Sequence, residues 1–277
     1  MTLSRIELDG VGSPSALAQR IHELEPDLPL DFSMEVLCRR LDIESIEELP
    51  VSSIAAAMLL MHPDKAWGSI VVAQGTSPRR RRFSIGHELG HFLLPSHRPF
   101  EGTQFACSHA DLRLENTGEA NRARKMEAEA NRFAARLLMP PQRIRGNHKC
   151  RQPDLAEVVR LSQEFNVSKA AMARSYVDAL RECLALVVVR DGWIEQAHRP
   201  NDFPWINHNI RGPIPRDSIA HDHGLSPGQI TEMEECEPET WLGPAGVRKV
   251  EALSEQVLAQ TDGWAMILLH AELAEQE

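Results

Sequence analysis

The segment SIGHELGHFLLP, residues 84–95, constrains the fold of this chain more than any other stretch. Its apolar side chains recur at the spacing of one helix face: Ile85, Leu89, Phe92 and Leu93. This pattern predicts an amphipathic helix that Ser84 caps and Pro95 ends. Positions i and i+4 share a helix face, so His87 and His91 point the same way. The fold must therefore bury one helix face while two imidazoles converge on one point.

The spacing of His87-Glu88-Leu89-Gly90-His91 is typical of zinc sites. Both imidazoles can bind one metal ion, whereas Glu88 is rotated by about 100° around the helix and can reach a water at that metal. This is the zincin arrangement, in which zinc is the cofactor and Glu88 is the catalytic base. The short pattern also arises by chance on a polar helix face, so the metal hypothesis needs a third ligand.

A second helix is predicted over residues 119–138, and Pro140-Pro141 ends it. Its segment MEAEANRFAARLLMP places Glu127 and Asn131 four residues apart on one face. A glutamate that binds the metal and an amide that orients a ligand would complete a site of two histidines and one glutamate. We favour Glu127 as the third metal ligand and assign Asn131 this supporting role.

Two other residues compete with Glu127 for the third position. His97 follows His87 by ten residues, as the third histidine does in metzincins, but Leu94 stands where that pattern requires glycine. Glu129 lies about 200° around the helix from Glu127, and we expect it to face solvent. Both alternatives stay open from the residues alone.

The chain divides into three predicted parts. Residues 1–150 form the metal-binding domain, residues 151–182 form a helix–turn–helix-like segment with its turn at FNVS, and residues 183–277 form a small α/β domain.

Residues 14–49 of the first part predict two helices. The runs IAAAMLL and GSIVVA predict a hairpin. Its second strand (residues 69–73) is either an edge strand to which a substrate strand can add or an ordinary strand of the sheet, and both alternatives stay open. The run Arg79 to Arg82 is expected in a solvated turn, or as an attraction for an acidic partner.

In the last part, the segments LALVVVRDGWIE and GWAMILLHAE predict strands, and a helix is expected around residues 244–259. From Cys183 to the end, the chain has 16 acidic and 6 basic residues, a net charge of −10. The net charge of the whole chain is also −10. The first 182 residues are therefore neutral, and residues 151–182 carry five charges of each sign. An acidic tail beside a neutral helical pair argues against direct binding of nucleic acid.

The composition excludes several classes of protein. No apolar run approaches the roughly 18 residues of a membrane helix, and the segment MTLSRIELDGVG lacks the apolar region of a secretory signal. The five cysteines are odd in number and form no CxxC pair, which disfavours both a disulfide framework and a zinc site of that kind. We therefore expect a cytoplasmic protein with no membrane partner.

The segments RRFSIGHELGHFLLP and EAEANRFAARLLMP, in this order, resemble the ImmA/IrrE family of zinc metallopeptidases over about residues 50–140. The resemblance implies that His87, His91 and Glu127 bind zinc and that Glu88 is the catalytic base. It also implies a substrate, since family members cut repressors of the XRE helix–turn–helix type and thereby release stress-response or mobile-element genes. The helical segment and α/β tail resemble the three-part layout of IrrE, whose tail is GAF-like.

These observations predict an α+β protein with a zincin-like domain of the gluzincin type, a helix–turn–helix-like middle and a small α/β tail, which the resemblance implies to be GAF-like. The expected function is a zinc endopeptidase that cuts an XRE-type repressor, with a small-molecule or protein signal acting at the tail. The alternative is a non-catalytic transcription regulator or antitoxin-like protein whose zinc domain is structural. The oxyanion donor is expected among His97, His109 and Tyr176.

Overall fold

The computed structural model describes residues 3–50, 57–98, 104–107, 118–207, 211–221 and 224–274. The fold is mixed α+β, and the chain divides into two compact units. The first comprises Met1–Pro140 and Glu164–Ser168, and the second comprises Pro141–Gln163 and Lys169–Glu277. Within the described ranges, every helix is too short or too polar to cross a membrane.

The first unit contains four helices and four strands among its described residues. In chain order they are α1 (Pro14–Leu24), α2 (Met34–Arg40), β1 (Ile43–Leu49), β2 (Ala57–Met61), β3 (Gly68–Ala73), α3 (Pro78–Leu93), β4 (Gln104–Cys107) and α4 (Gly118–Leu138). Both helices predicted within residues 14–49 are present, and Ser13 and Ser33 cap them through their side chains. The strand β1 was not predicted.

The four strands form one sheet in the order β1-β3-β2-β4. The predicted hairpin of β2 and β3 is confirmed, with Met61 paired to Gly68 and Ala57 to Val72. Of the two alternatives for residues 69–73, the edge strand is wrong and the ordinary sheet strand is confirmed, because β1 pairs in parallel with the other side of β3. All backbone positions of an interior strand are occupied by its neighbours, so β3 offers no edge to a substrate.

Helix α3 is buried on several sides in the first unit. It packs on β2 and β3 of the sheet and against α4, while α4 also packs on α1. Its residues Ile85, Leu89 and Phe92 are at most 1% exposed, as the apolar periodicity predicts. Phe92 lies over Gly68, where an added Cβ would come within 3.1 Å of the ring. The motif helix is therefore fixed by the core rather than by the surface.

Helix α3 begins at Pro78, six residues before the predicted cap at Ser84. Proline is favoured in the first helical turn because its missing N–H would have no partner there. The prediction of a solvated turn at Arg79 to Arg82 is therefore wrong. Arg81 pairs with Glu35 and Glu48, and the buried Arg82 donates to the Phe32 carbonyl and stacks on the Phe32 ring.

The second unit contains a five-stranded sheet and four α-helices among its described residues. In chain order these are α5 (Pro141–Asn147), α6 (Leu155–Glu164), α7 (Lys169–Ala179), β5 (Cys183–Arg190), β6 (Trp193–His198), β7 (Glu234–Cys236), α8 (Pro244–Val247), β8 (Val250–Ala259) and β9 (Trp264–Leu273). The strand order is β6-β5-β9-β8-β7, with every neighbouring pair antiparallel. Helix α7 packs on β5, and Leu155 at the start of α6 donates to the side chain of Gln256.

The helix expected around residues 244–259 is wrong for most of its length. The helix α8 ends at Val247, and Val250–Ala259 is the strand β8 between β7 and β9. Leu253 and Val257 are four residues apart, which fits a helix face, but positions two and four residues apart also share a strand face. They lie in the core of the sheet together with the buried Trp241, so tertiary packing overrides the helical preference of Ala, Glu and Gln.

Candidate metal centre

A seam of small residues brings helices α3 and α4 into close contact. Gly86 and Gly90 of α3 face Ala134 and Ala130 of α4. At Gly90 an added Cβ would lie 2.9 Å from a ring carbon of Phe133 and 3.3 Å from the Cα of Ala130. Glycine at this position therefore permits an approach that any larger residue prevents. The close approach allows side chains of α4 to reach the histidines of α3.

Three side chains converge where the two helices meet. The Nε2 atoms of His87 and His91 are 3.1 Å apart, and the Glu127 carboxylate lies 3.2 Å from the first and 3.3 Å from the second. His91 is fully buried and His87 is 7% exposed, whereas the Glu127 side chain is 26% exposed. The cluster is thus anchored in the core and reaches solvent on its Glu127 side.

The geometry and chemistry of these donors suit a zinc ion. Zinc bonds of about 2.0–2.2 Å in a tetrahedral arrangement place neighbouring donor atoms roughly 3.3 Å apart. The three separations in the cluster match that value, and two imidazoles with one carboxylate are a donor set that catalytic zinc uses. Among the described residues, His87, His91 and Glu127 form a group whose ligand atoms all lie within 4.8 Å of one another, so they could hold one metal ion.

The electrostatics of two of the three side chains, His91 and Glu127, favour the forms that bind a cation. Burial lowers the pKa of His91 to about 4, although the Glu127 carboxylate opposes this effect. Burial acts to raise the pKa of Glu127, but the adjacent imidazoles of His87 and His91 outweigh that and hold the pKa well below its usual range. His91 is therefore neutral and Glu127 ionised near neutral pH, as metal ligands must be. For His87, the carboxylates of Glu127 and Glu88 outweigh burial and raise the pKa.

Asn131 lies where the sequence predicts it. Its Oδ1 is 3.0 Å from Nδ1 of His87, on the side of the ring away from the convergence point. Since an amide oxygen only accepts hydrogen bonds, Nδ1 carries the proton and Nε2 presents its lone pair to the cluster. The contact fixes the ring orientation of His87 in the way that outer partners of metal ligands do.

His97 and Glu129 are connected to the cluster through His91. His97 is fully buried, and its Nδ1 lies 3.0 Å from Nδ1 of His91. Its Nε2 lies 3.0 Å from the carboxylate of Glu129. Glu129 therefore stays 26% exposed, but its carboxylate pairs with a buried ring, which the expectation of a solvent-facing side chain did not include. His97 sits on the side of His91 opposite to the converging Nε2 atoms.

Lys65 supports the end of the motif helix and was missed in the sequence. The residue is 8% exposed, and its ammonium group donates to the carbonyl oxygens of His91 and Leu94, at 2.8 and 2.7 Å. These carbonyls belong to the last turn and the cap of α3, and the Leu94 carbonyl also accepts from the His97 N–H. Burial and the charges of Arg98 and Arg5 lower the pKa of Lys65 to about 8. Its position in a Pro-Asp-Lys turn gives no signal of burial.

The remaining predicted site residues lie in different environments. Glu88 is 1% exposed on α3, and its charge acts on His87. Tyr176 is buried in the second unit, where its hydroxyl lies 2.8 Å from Nε2 of His148 and accepts from the Asp154 N–H. His109 lies outside the described residues.

Comparison with known proteins identifies a family whose model matches this part of the chain. Residues 38–175 match the peptidase M78 family, described as "IrrE N-terminal-like domain". This segment of the chain belongs to the ImmA/IrrE family. The matched residues include His87, His91 and Glu127, so the IrrE-like domain contains a group of side chains that could hold a metal ion, as expected in a metallopeptidase family.

A solved structure extends the similarity of fold beyond this domain. The chain is similar to a Mycobacterium tuberculosis transcriptional regulator with a TM-score of 0.59, at 17% sequence identity over 94% of this chain and 76% of that one. No curated protein sequence matched the chain. The identity is low, so the structural similarity shows the fold alone.

Proposed function

We propose that this protein is a zinc-dependent endopeptidase that cleaves a transcriptional repressor of the XRE helix–turn–helix type. The observation that carries the proposal is the convergence of His87, His91 and Glu127 on one point, with the buried carboxylate of Glu88 on the same helix. The match to a metallopeptidase family supports the class of reaction. The proposed fold of this domain is zincin-like, of the gluzincin type.

The roles of the residues follow from their placement. His87, His91 and Glu127 would hold the zinc, which when bound lowers the pKa of water to about 7 and polarises the scissile carbonyl. Glu88 follows His87 on the helix and its charge acts on the His87 ring, so it is the proposed base that takes the proton of the attacking water. Glu88 then delivers that proton to the leaving amine nitrogen, which completes hydrolysis of the peptide bond.

The number of ligands supports a catalytic rather than a structural zinc. Structural zinc sites usually have four protein ligands, whereas catalytic sites have three and keep one position for water or substrate. In the part of the chain that the structure describes, the cluster has three members. The partial exposure of Glu127 gives a substrate access to the site.

The identity of the substrate rests on the family resemblance and on charge. Residues 151–182 carry five charges of each sign and the acidic residues that follow would repel phosphate, so the helices α6 and α7 are proposed to contact protein rather than DNA. A GAF-like tail that receives a small-molecule or protein signal, in a cytoplasmic enzyme, completes the proposal.

The competing function is transcription regulation by direct DNA binding, with zinc as a structural ion. The M. tuberculosis protein of similar fold carries the name transcriptional regulator, which favours this alternative. Specific DNA binding depends on many contacts from Lys and Arg to phosphate, so it predicts a steep dependence on salt. Neutral helices followed by an acidic region do not provide such contacts.

One pair of assays separates the two functions. The zinc-loaded protein is incubated with purified XRE-type repressors from its own genome, and products are identified by mass spectrometry, with a chelator-treated sample as the control. We expect one repressor to be cut at one site only in the zinc-loaded sample, and no mobility shift of DNA at about 0.1 M salt. Nanomolar, sequence-specific DNA binding without cleavage of any repressor would support the regulator instead.

A further inference from the structure

A chain of three side chains leads from the metal centre to the surface of helix α4. His91 contacts His97 through their Nδ1 atoms, and His97 contacts Glu129 through Nε2, both at 3.0 Å. His91 and His97 are both fully buried. Glu129 is partly exposed and also lies 3.8 Å from the ammonium group of Lys125, one helical turn earlier.

The direction of the hydrogen bonds in this chain is determined by its two ends. At one end, Nε2 of His91 faces the Glu127 carboxylate and Nε2 of His87, where a metal ligand must present a lone pair. The proton of neutral His91 is then on Nδ1, which donates to Nδ1 of His97. At the other end, the Glu129 carboxylate only accepts. His97 must therefore carry its proton on Nε2 and donate it to Glu129.

This assignment leaves His97 without a role as a ligand or an oxyanion donor. Both of its ring nitrogens are engaged, and its ring lies on the Nδ1 side of His91, away from the converging donor atoms.

We propose that His97 and Glu129 are positioning residues that hold His91 in the tautomer and orientation needed to bind the metal. The inference rests on the metal centre of the proposed function. It makes the support of the two histidines unequal: a single neutral amide, Asn131, supports His87, whereas a histidine backed by a carboxylate supports His91. A carboxylate at the end of such a chain increases the basicity of the ligand nitrogen and so strengthens its bond to the metal.

The test measures zinc affinity by competition with a chromophoric chelator, which needs no substrate. Loss of an outer partner of a metal-binding histidine typically weakens metal affinity by about 10- to 100-fold. We expect Glu129→Leu to show a loss in this range, and Glu129→Gln to recover part of it, because the amide oxygen still accepts from His97. The matched control is Glu23→Leu, since Glu23 is a half-exposed glutamate of helix α1 that pairs with Arg20.

A second readout separates positioning from a general effect on folding. Long-range ¹H–¹⁵N spectra of the zinc-loaded wild-type protein report the tautomer of each histidine, and we expect His97 to carry its proton on Nε2. In Glu129→Leu this tautomer preference should weaken while the unfolding temperature of the zinc-free protein changes no more than in Glu23→Leu. A merely structural glutamate would change stability and leave the tautomer and the zinc affinity unaltered.

The outcomes distinguish this inference from the proposed function. If wild type binds zinc and Glu129→Leu binds it equally well, or if His97 carries its proton on Nδ1, the positioning role is overturned while the metal centre stands. If wild type and the Glu23→Leu control both fail to bind zinc, the metal centre and the inference are both overturned.

Discussion

Gly90 of helix α3 lies against Ala130 of helix α4 so closely that an added Cβ would be 3.3 Å from the Ala130 Cα and 3.4 Å from its carbonyl oxygen. Gly90 directly precedes His91, and Ala130 lies between Glu127 and Asn131 on the next turn of α4. The distance between the two helices is therefore set one residue from the cluster. This contact links a single glycine to the geometry of the whole metal centre.

The first prediction concerns this contact. Gly90→Ala places a methyl group 2.9 Å from a ring carbon of Phe133, so the helices must separate or the ring must move. Overpacking of this kind costs about 1–3 kcal/mol of unfolding free energy. We expect the unfolding free energy measured by urea denaturation to fall by this amount, and we expect zinc binding to weaken. Gly146→Ala is the control, because an added Cβ there meets no atom within 4 Å. Equal effects of the two substitutions would contradict the claim that Gly90 permits the close contact between α3 and α4.

The second prediction concerns the third ligand. Glu127→Ala removes a donor atom that lies 3.2 and 3.3 Å from the two imidazole nitrogens, whereas His97→Ala removes a contact behind His91. We expect Glu127→Ala to lower zinc affinity more than either His97→Ala or Glu129→Ala, as measured by chelator competition. A larger loss in His97→Ala would show that His97 is the ligand, against the arrangement described above.

The third prediction concerns the buried arginine at the start of α3. The guanidinium of Arg82 donates to the carbonyls of Leu30, Asp31 and Phe32, which lie in the segment before α2. Hydrogen bonds to charged groups contribute about 1.5–3 kcal/mol, so Arg82→Met should lower the unfolding free energy by about that amount. The exposed Arg39 of helix α2 provides the control, and Arg39→Met should change the unfolding free energy by less than about 0.5 kcal/mol.

The fourth prediction concerns the buried glutamate of β8. Glu255 is fully buried and accepts from Ser218, the Ile219 N–H and the Trp241 indole. Burial raises its pKa, against the effect of these three donors, and the charge of Glu234 raises it further. A raised pKa in the folded state means that the contribution of Glu255 to stability is present at low pH. It is lost as pH rises through the folded pKa.

The matched variant for this effect is Glu255→Gln, which cannot ionise. We expect the stability of wild type relative to Glu255→Gln to decrease between about pH 4 and about pH 8, as measured by urea unfolding at both values. Other carboxylates titrate in both proteins and cancel in the difference. A difference that is constant with pH, or that grows in favour of wild type, would contradict the raised pKa.

Elements with a strong helical period were predictable from the sequence. The periodic apolar residues of α1, α2, α3 and α4 each identified a helix, and Pro140-Pro141 marked where α4 ends. The spacing of His87 and His91 also placed both imidazoles on one face, because the helix period alone determines that. Predicting that Glu127 lies near His87 and His91 required only one more assumption, that helices α3 and α4 pack together.

Other features depend on contacts that are distant in sequence. The strand β8 contains Ala, Glu, Gln and Leu, which favour helices, and only its place between β7 and β9 makes it a strand. The burial of Lys65 depends on the carbonyls at the end of α3, and the position of Glu129 depends on where the chain after Pro95 places His97. No local pattern carries this information.

The central claim is that Glu88 acts as the base at a zinc centre built from His87, His91 and Glu127, and Glu88→Gln tests it most directly. The variant and wild type are compared by metal analysis and by the rate at which each cuts the repressor that the wild-type protein cleaves. Because Glu88 is not a ligand, we predict equal zinc content and a cleavage rate lower by about 10² to 10⁴ in Glu88→Gln. Cleavage by Glu88→Gln at the wild-type rate, with zinc bound in both proteins, would contradict the account.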